Sequence, residues 1–96
     1  MRVDVWDLEF DDVNREEMHA HGISIAVALE VVDGNPRAIP NRAKGGAPVL
    51  LIGPTSKGLV SLPIDPTNLY GVHRPRTGYP SKPAEVKRYR QMGRKG

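Results

Sequence analysis

The sequence predicts a single α+β domain in which a small antiparallel sheet is covered on one face by helices. A chain of 96 residues is long enough for one domain with a modest core. Ten glycines and nine prolines imply many turns around a small sheet. Helical and alternating apolar patterns succeed one another in the order β-α-α-β-β-β-β-α. We place this domain at residues 1–92, followed by a flexible basic tail at 93–96.

The first third of the chain contains one predicted strand and two predicted helices. Apolar and acidic residues nearly alternate over 3–9, which predicts a strand with one buried face. Acidic residues from Asp11 onward suit the positive end of a helix, and Gly22 ends it. Ser24 is an N-cap for the second helix, which ends at Gly34. The residues assigned to the buried helix faces are Phe10, Val13, Met18, Ile25, Ala28, Leu29 and Val32.

Four strands are predicted between the second and third helices. Residues 37–40 form a short edge strand, because Pro40 excludes a central place in a sheet. The unbroken apolar run at 49–52 indicates a buried strand. A turn then leads into 59–64, whose alternating apolar residues complete a hairpin. Residues 69–74 supply the last strand after a second turn.

The C-terminal part of the chain is predicted to be a loop and a basic helix. Residues 75–83 form the loop, which carries Tyr79 and Lys82. Pro83 suits the first turn of a helix, and that helix runs over 84–91 with Val86 and Tyr89 on one side.

Charge is distributed unevenly along the chain. Residues 1–33 hold two basic side chains and nine acidic ones, a net charge of −7. Residues 34–96 hold twelve basic and two acidic ones, a net charge of +10. A basic half of this density attracts polyanions, so the sequence favours nucleic acid or an acidic protein as a partner.

Composition also excludes several classes of protein. No cysteine is present, so a disulfide framework and thiolate metal sites are excluded. The longest apolar stretch, 47–52, is too short to cross a bilayer, and no signal-peptide pattern is visible, so we expect a soluble cytoplasmic protein. No P-loop, dinucleotide fingerprint or Ser/His/Asp triad is found.

Short motifs spread over nearly the whole chain point to a family. In the first half they are Trp6-Asp7, Asn14, His21-Gly22-Ile23-Ser24 and Ala28. In the second half they are Ile52-Gly53, Lys57-Gly58, the strand 59–64, the segment 72–76, and Glu85 with Tyr89. These motifs resemble the BrnT family of toxins, which share the broader RelE-like ribonuclease fold. One segment departs from the family pattern, since His73-Arg74-Pro75-Arg76 stands where the family has Ser-Ala-Arg.

The resemblance implies the toxin component of a type II toxin–antitoxin system. Such a protein would be a metal-independent endoribonuclease that needs no cofactor. Its partners would be RNA and a cognate DNA-binding antitoxin that covers the basic face, and self-association into a homo-oligomer is left open. The alternative is a protein on a degenerate toxin fold that binds nucleic acid or a partner protein without catalysis.

Four residues are the catalytic candidates. Metal-free RNA cleavage needs a base, an acid and a cation near the developing phosphorane charge. Arg74 and Arg76 are two apart on an extended segment, so they would project to one side and clamp a phosphate. His73 and Tyr79 lie near them in sequence, although strand alternation turns His73 away from Arg74. Solvation of an exposed edge is the competing interpretation of the arginine pair.

Further basic residues are candidates for contacts to phosphate, although exposed basic side chains often serve only solubility. These candidates are Lys57, Lys82, Arg42, Lys44, Lys87 and Arg88. No metal site is predicted, because His19 and His21 are two apart and would not share a helix face. His21 is assigned to the end of the first helix. The only tryptophan, Trp6, is assigned to packing in the core or against a helix rather than to base stacking.

Overall fold

The computed structural model describes residues 2–43 and 45–93, which form three helices and a six-stranded sheet. In chain order the elements are β1 (Asp7–Leu8), α1 (Asp12–Ala20), α2 (Ile25–Asp33), β2 (Arg37–Pro40), β3 (Val49–Thr55), β4 (Gly58–Pro66), β5 (Val72–Pro75), β6 (Tyr79–Pro80) and α3 (Pro83–Gly93). The predicted α+β class is confirmed. The structure contains one strand more than predicted, β6, which lies in the segment predicted to be a loop.

The sheet is mixed rather than antiparallel. Its strands lie in the order β1-β5-β4-β3-β2, and β6 pairs with β4 beyond the end of β5. β1 runs parallel to β5, with Leu8 opposite His73. The antiparallel prediction was wrong at this pair, because an alternating pattern indicates a strand but not its distant partner or its direction. β2 is an edge strand, as Pro40 predicted.

A reciprocal cap fixes the start of α1. The Asp11 carboxylate accepts a hydrogen bond from the Asn14 backbone N–H, and the Asn14 side-chain oxygen accepts one from the Asp11 N–H, both at 2.9 Å. Asn14 is fully buried, and its amide nitrogen donates to the Glu9 carbonyl at 3.0 Å. This cap directs Asn14 and Met18 inward, so Val13 is 65% exposed and its predicted burial is wrong.

The second helix has the predicted ends but a different buried face. The Ser24 hydroxyl accepts from the Val27 N–H, and the Gly34 N–H donates to the Glu30 carbonyl. Val27, Ala28 and Val31 are buried, whereas Leu29 is only half-buried. The helix approaches β3 closely, because a Cβ at Gly53 would lie 3.1 Å from Val31. This contact rotates the helix relative to the stripe predicted from the sequence.

Both faces of the sheet are covered, so the prediction of one covered face is wrong. Leu51, Leu62 and Ile64 pack against α1 and α2 in the larger cluster. Leu50 and Ile52, which alternate with them along β3, form a second cluster with Tyr89 of α3. The unbroken apolar run of β3 places apolar side chains on both faces of the sheet, so each face must be covered by other elements.

The third helix is fixed to the sheet mainly by polar contacts. Arg37 donates from Nη1 to the Tyr89 carbonyl at 3.0 Å, and its guanidinium lies 4.1 Å from the centre of the Tyr89 ring. The Tyr89 hydroxyl donates to the Asn35 carbonyl. α3 continues to Gly93, past the predicted end. Lys44 and residues 94–96, which include most of the predicted tail, lie outside the described residues.

Two predicted strands are shorter in the structure. β1 contains only Asp7 and Leu8, and β5 begins at Val72 because Leu69–Gly71 form a turn. Trp6 lies over this turn with 58% of its surface exposed, so its predicted place in the core is wrong. Within residues 2–43 and 45–93, no helix combines the length and the apolar character that crossing a membrane requires.

Candidate functional site

The uneven charge along the chain becomes a difference between the two faces of the sheet. The layer of α1 and α2 exposes four carboxylates, those of Asp12, Glu16, Glu17 and Asp33. On the other face, α3 carries Lys87, Arg88 and Arg90, and Lys82 immediately precedes it. A polyanion is therefore attracted to the α3 side of the molecule and repelled from the opposite layer.

The two arginine candidates are each held by a carboxylate. Arg74 donates from Nη1 to the side chain of Asp11. Arg76 donates from Nε and Nη2 to the two oxygens of Asp65, at 2.7 and 3.0 Å. The hydrogen bond to Asp65 raises the pKa of Arg76. The two guanidinium groups have different partners, and a phosphate would compete with a carboxylate for either one.

His73 lies inside the sheet rather than beside the arginines. It is 9% exposed, whereas its neighbour Arg74 is half-exposed, which agrees with the alternation predicted for this strand. Its Nδ1 atom is buried and has no hydrogen-bond partner among the described residues. The structure therefore does not present His73 to a strand bound at the surface.

A polar network surrounds Tyr79. Its hydroxyl donates to Oε2 of Glu85 at 2.8 Å. The hydroxyl of Ser61, which is fully buried, donates to Oε1 of Glu85 at 2.9 Å and lies 2.8 Å from that of Ser81. Burial raises the pKa of Tyr79, and the Glu85 carboxylate raises it further. The phenol therefore stays protonated throughout the neutral range.

Two elements bring this network together. β6 pairs with β4 so that Tyr79 lies opposite Ser61. Glu85 lies in the first turn of α3 and accepts a hydrogen bond from the Lys82 N–H at 3.0 Å, as a capping glutamate does. In the sequence Glu85 belongs to a family motif and is not among the predicted site residues. Its position three residues after Lys82, at the start of a helix, was the available signal.

An imidazole and an ammonium group lie close to the ring of Tyr79. The ring centre of His21 lies 6.2 Å from that of Tyr79 in an edge-on arrangement. The Nζ atom of Lys82 lies 5.2 Å from the Tyr79 ring centre. His21 and Lys82 are exposed, and His21 forms the C-cap of α1, as the sequence predicted. The helix end thus places a titratable group beside a predicted site residue.

The remaining basic candidates do not form one cluster. Lys87 and Arg88 lie on α3. Lys57 lies in the β3–β4 turn, where the neighbouring Ser56 is hydrogen-bonded to Glu30 of the acidic layer. Arg42 is exposed in the loop after β2, and Lys44 lies outside the described residues. In residues 2–43 and 45–93, no group of three or more histidine or acidic side chains could hold a metal ion.

No protein-family model matches the chain, and a comparison with curated proteins finds no match. The functional interpretation of the network around Tyr79 therefore depends on its own chemistry. That network combines an imidazole, an ammonium group and a protonated phenol at the edge of a basic face.

Proposed function

We propose that this protein is a metal-independent endoribonuclease that acts in the cytoplasm as the toxin component of a type II toxin–antitoxin system. The observation that carries the proposal is that the His21 imidazole and the Lys82 ammonium group both lie close to the Tyr79 ring. The resemblance to the BrnT family adds the biological setting, with RNA as the substrate and an antitoxin as the inhibitor.

The chemistry requires a proton acceptor, a proton donor and a cation. An imidazole can take or release a proton near neutral pH, so His21 is the acid–base group. The Lys82 ammonium group stabilises the charge that develops on the phosphorane. Tyr79, held by Glu85, positions both groups through its ring. Attack by the 2′-oxygen would leave a 2′,3′-cyclic phosphate and a 5′-hydroxyl.

The basic side chains of α3 provide the contacts that hold the RNA backbone. Lys87 and Arg88 lie on the same helix as Glu85, so a strand that follows α3 would reach the Tyr79 ring. Arg74 and Arg76 rank second as catalytic groups, since Asp11 and Asp65 neutralise them. Binding to this face should weaken steeply with salt, because each phosphate contact releases counterions.

One observation favours binding without catalysis. The Glu85 carboxylate accepts three hydrogen bonds, from Tyr79, Ser61 and the Lys82 backbone, which is also how a purely structural capping residue behaves. A protein with this network and no turnover would be an RNA-binding or partner-binding relic of the toxin fold.

Cleavage of an RNA oligonucleotide in the presence of EDTA tests the proposal. His21→Ala and Lys82→Ala should each lower the rate about 10² to 10³-fold while the thermal midpoint stays close to that of the wild type. His19→Ala and Arg15→Ala are the matched controls, because both side chains are exposed on α1, in the acidic layer. Their cleavage rates should not change.

The outcomes separate the two functions. A wild-type protein that retains RNA in a salt-dependent manner but releases no cyclic phosphate is a binding protein only. Cleavage that survives both site substitutions, but is lost in Arg74→Ala/Arg76→Ala, would move the site to the arginine pair.

A further inference from the structure

Three large side chains that folding leaves exposed lie together at one edge of the sheet. Trp6, Leu69 and Tyr70 are 58%, 66% and 75% exposed, and we call them the aromatic patch. The Trp6 and Tyr70 rings meet edge-on with their centres 5.2 Å apart. Leaving three such side chains in water makes no contribution to folding, and a contiguous exposed apolar patch usually marks an interaction surface.

Several contacts fix the position of the aromatic patch. Trp6 donates its backbone N–H to the Gly71 carbonyl at 3.0 Å, and the Tyr70 hydroxyl donates to the Asp4 carboxylate. Gly71 has a φ of +80°, and a Cβ there would lie 2.0 Å from the Trp6 ring. Only glycine permits this turn with the ring placed over it. Rings held in place before binding lose little entropy on association, as in the anchor residues of protein interfaces.

A cavity opens beside Tyr70. Its volume is about 310 Å³, and its walls include Val3, Thr67, Leu69 and His73 together with the oppositely charged Arg2 and Asp4. This volume is at the lower limit of pockets for small ligands, and it suits one large apolar side chain of a partner better than a complete organic cofactor. The patch therefore offers two exposed aromatic rings beside a cavity that can accept one side chain of a partner.

The chain segment that carries Trp6 is acidic. Asp4, Asp7 and Glu9 are exposed on the segment that carries Trp6, and Arg2 is the opposing basic residue there. This charge repels the phosphates of RNA and attracts basic side chains. An extended peptide would bind by pairing with the free edge of β1. The N–H of Leu8 that points outward from this edge is already bonded to the Asp7 carboxylate at 2.8 Å, so a helix is favoured over an extended peptide.

We propose that the aromatic patch docks a basic amphipathic helix of a partner protein. The apolar stripe of that helix lies on Trp6, Leu69 and Tyr70, and one of its apolar side chains fills the cavity. Its lysines or arginines face Asp7 and Glu9. The aromatic patch shares no residue with the Tyr79 network, so this interaction does not depend on RNA cleavage.

A helical peptide of leucine and lysine provides the probe. Trp6 is the only tryptophan, so its fluorescence reports on the patch directly. We expect a saturable blue shift with the full-length protein, and no shift with a leucine–glutamate peptide. Leu69→Ser/Tyr70→Ser should weaken peptide binding at least about tenfold by calorimetry, because two interface anchors are lost. Val13→Ser is the matched control, since Val13 is 65% exposed on α1, and binding should not change.

A second pair of substitutions tests the charge without disturbing the aromatic side chains. Asp7→Asn/Glu9→Gln should weaken binding several-fold and reduce its salt dependence. The proposal is overturned if the double serine variant, folded as judged by its thermal midpoint, binds the peptide as tightly as the wild type. It is also overturned if that variant loses RNA affinity, which would identify a base-stacking surface, or if it converts a wild-type dimer to a monomer in sedimentation.

Discussion

Replacing Glu85 with alanine tests whether the network around Tyr79 holds α3 on the sheet. Glu85→Ala removes the acceptor for the Tyr79 hydroxyl at 2.8 Å, the Ser61 hydroxyl at 2.9 Å and the Lys82 N–H at 3.0 Å. The three donors lie on β6, on β4 and before α3, so one substitution loosens three elements at once.

The loss of stability in Glu85→Ala depends on which hydrogen bonds each of the three donors can still form. A hydrogen bond to a charged group contributes about 1.5 to 3 kcal/mol when it is desolvated. Ser61 keeps its contact with Ser81, and the half-exposed phenol and Lys82 N–H can turn to water. We therefore expect a loss of about 2 to 3 kcal/mol, below the sum of three full contributions. For a chain of this length that loss lowers the thermal midpoint by roughly 10 to 20 °C.

Urea denaturation followed by circular dichroism provides the measurement. Glu17→Ala is the control, because Glu17 is exposed on α1 and its loss should change stability by no more than about 0.5 kcal/mol. Glu85→Gln, which keeps an acceptor oxygen without the charge, should lie between the control and Glu85→Ala. If Glu85→Ala and Glu17→Ala destabilise the protein equally, the network does not contribute to folding and our account of how α3 is attached is refuted.

Two further predictions concern stability. Asn14→Ala should cost about 2 to 4 kcal/mol in urea denaturation, because it removes the side chain of a fully buried residue and leaves the Glu9 carbonyl and the Asp11 N–H without that partner. A loss as small as that of Asn68→Ala, at an exposed turn residue, would contradict this. Tyr79 should make stability fall at alkaline pH. Its pKa is raised above the ordinary 10.0 in the folded state, so the stabilisation is complete below about pH 10 and is lost as the pH rises further. Thermal midpoints measured from pH 9 to 11 should fall less for Tyr79→Phe than for the wild type. If the midpoints of both proteins decrease equally with pH, ionisation of Tyr79 is not the cause of the loss of stability.

Part of the candidate site could be predicted from the sequence. Tyr79 and Lys82 were named because they lie in a basic loop near the last helix, and the structure brings them together. The role of Glu85 was missed because its partners Ser61 and Tyr79 become neighbours only when β6 pairs with β4. The arginine pair was predicted from its spacing alone, whereas Asp11 and Asp65 are what determine how Arg74 and Arg76 are bound.

Local interactions determined what the sequence could reveal by itself. The caps at Asp11 and Ser24, the apolar run of β3 and the proline at the start of α3 act within a few residues, so their elements were predictable. Tertiary structure alone decided the parallel pairing of β1 with β5 and the rotation of α2 toward Gly53. It also placed Trp6 at the surface. These features depend on contacts between residues far apart in the chain, and periodicity within a segment carries no information about which distant surface that segment will meet.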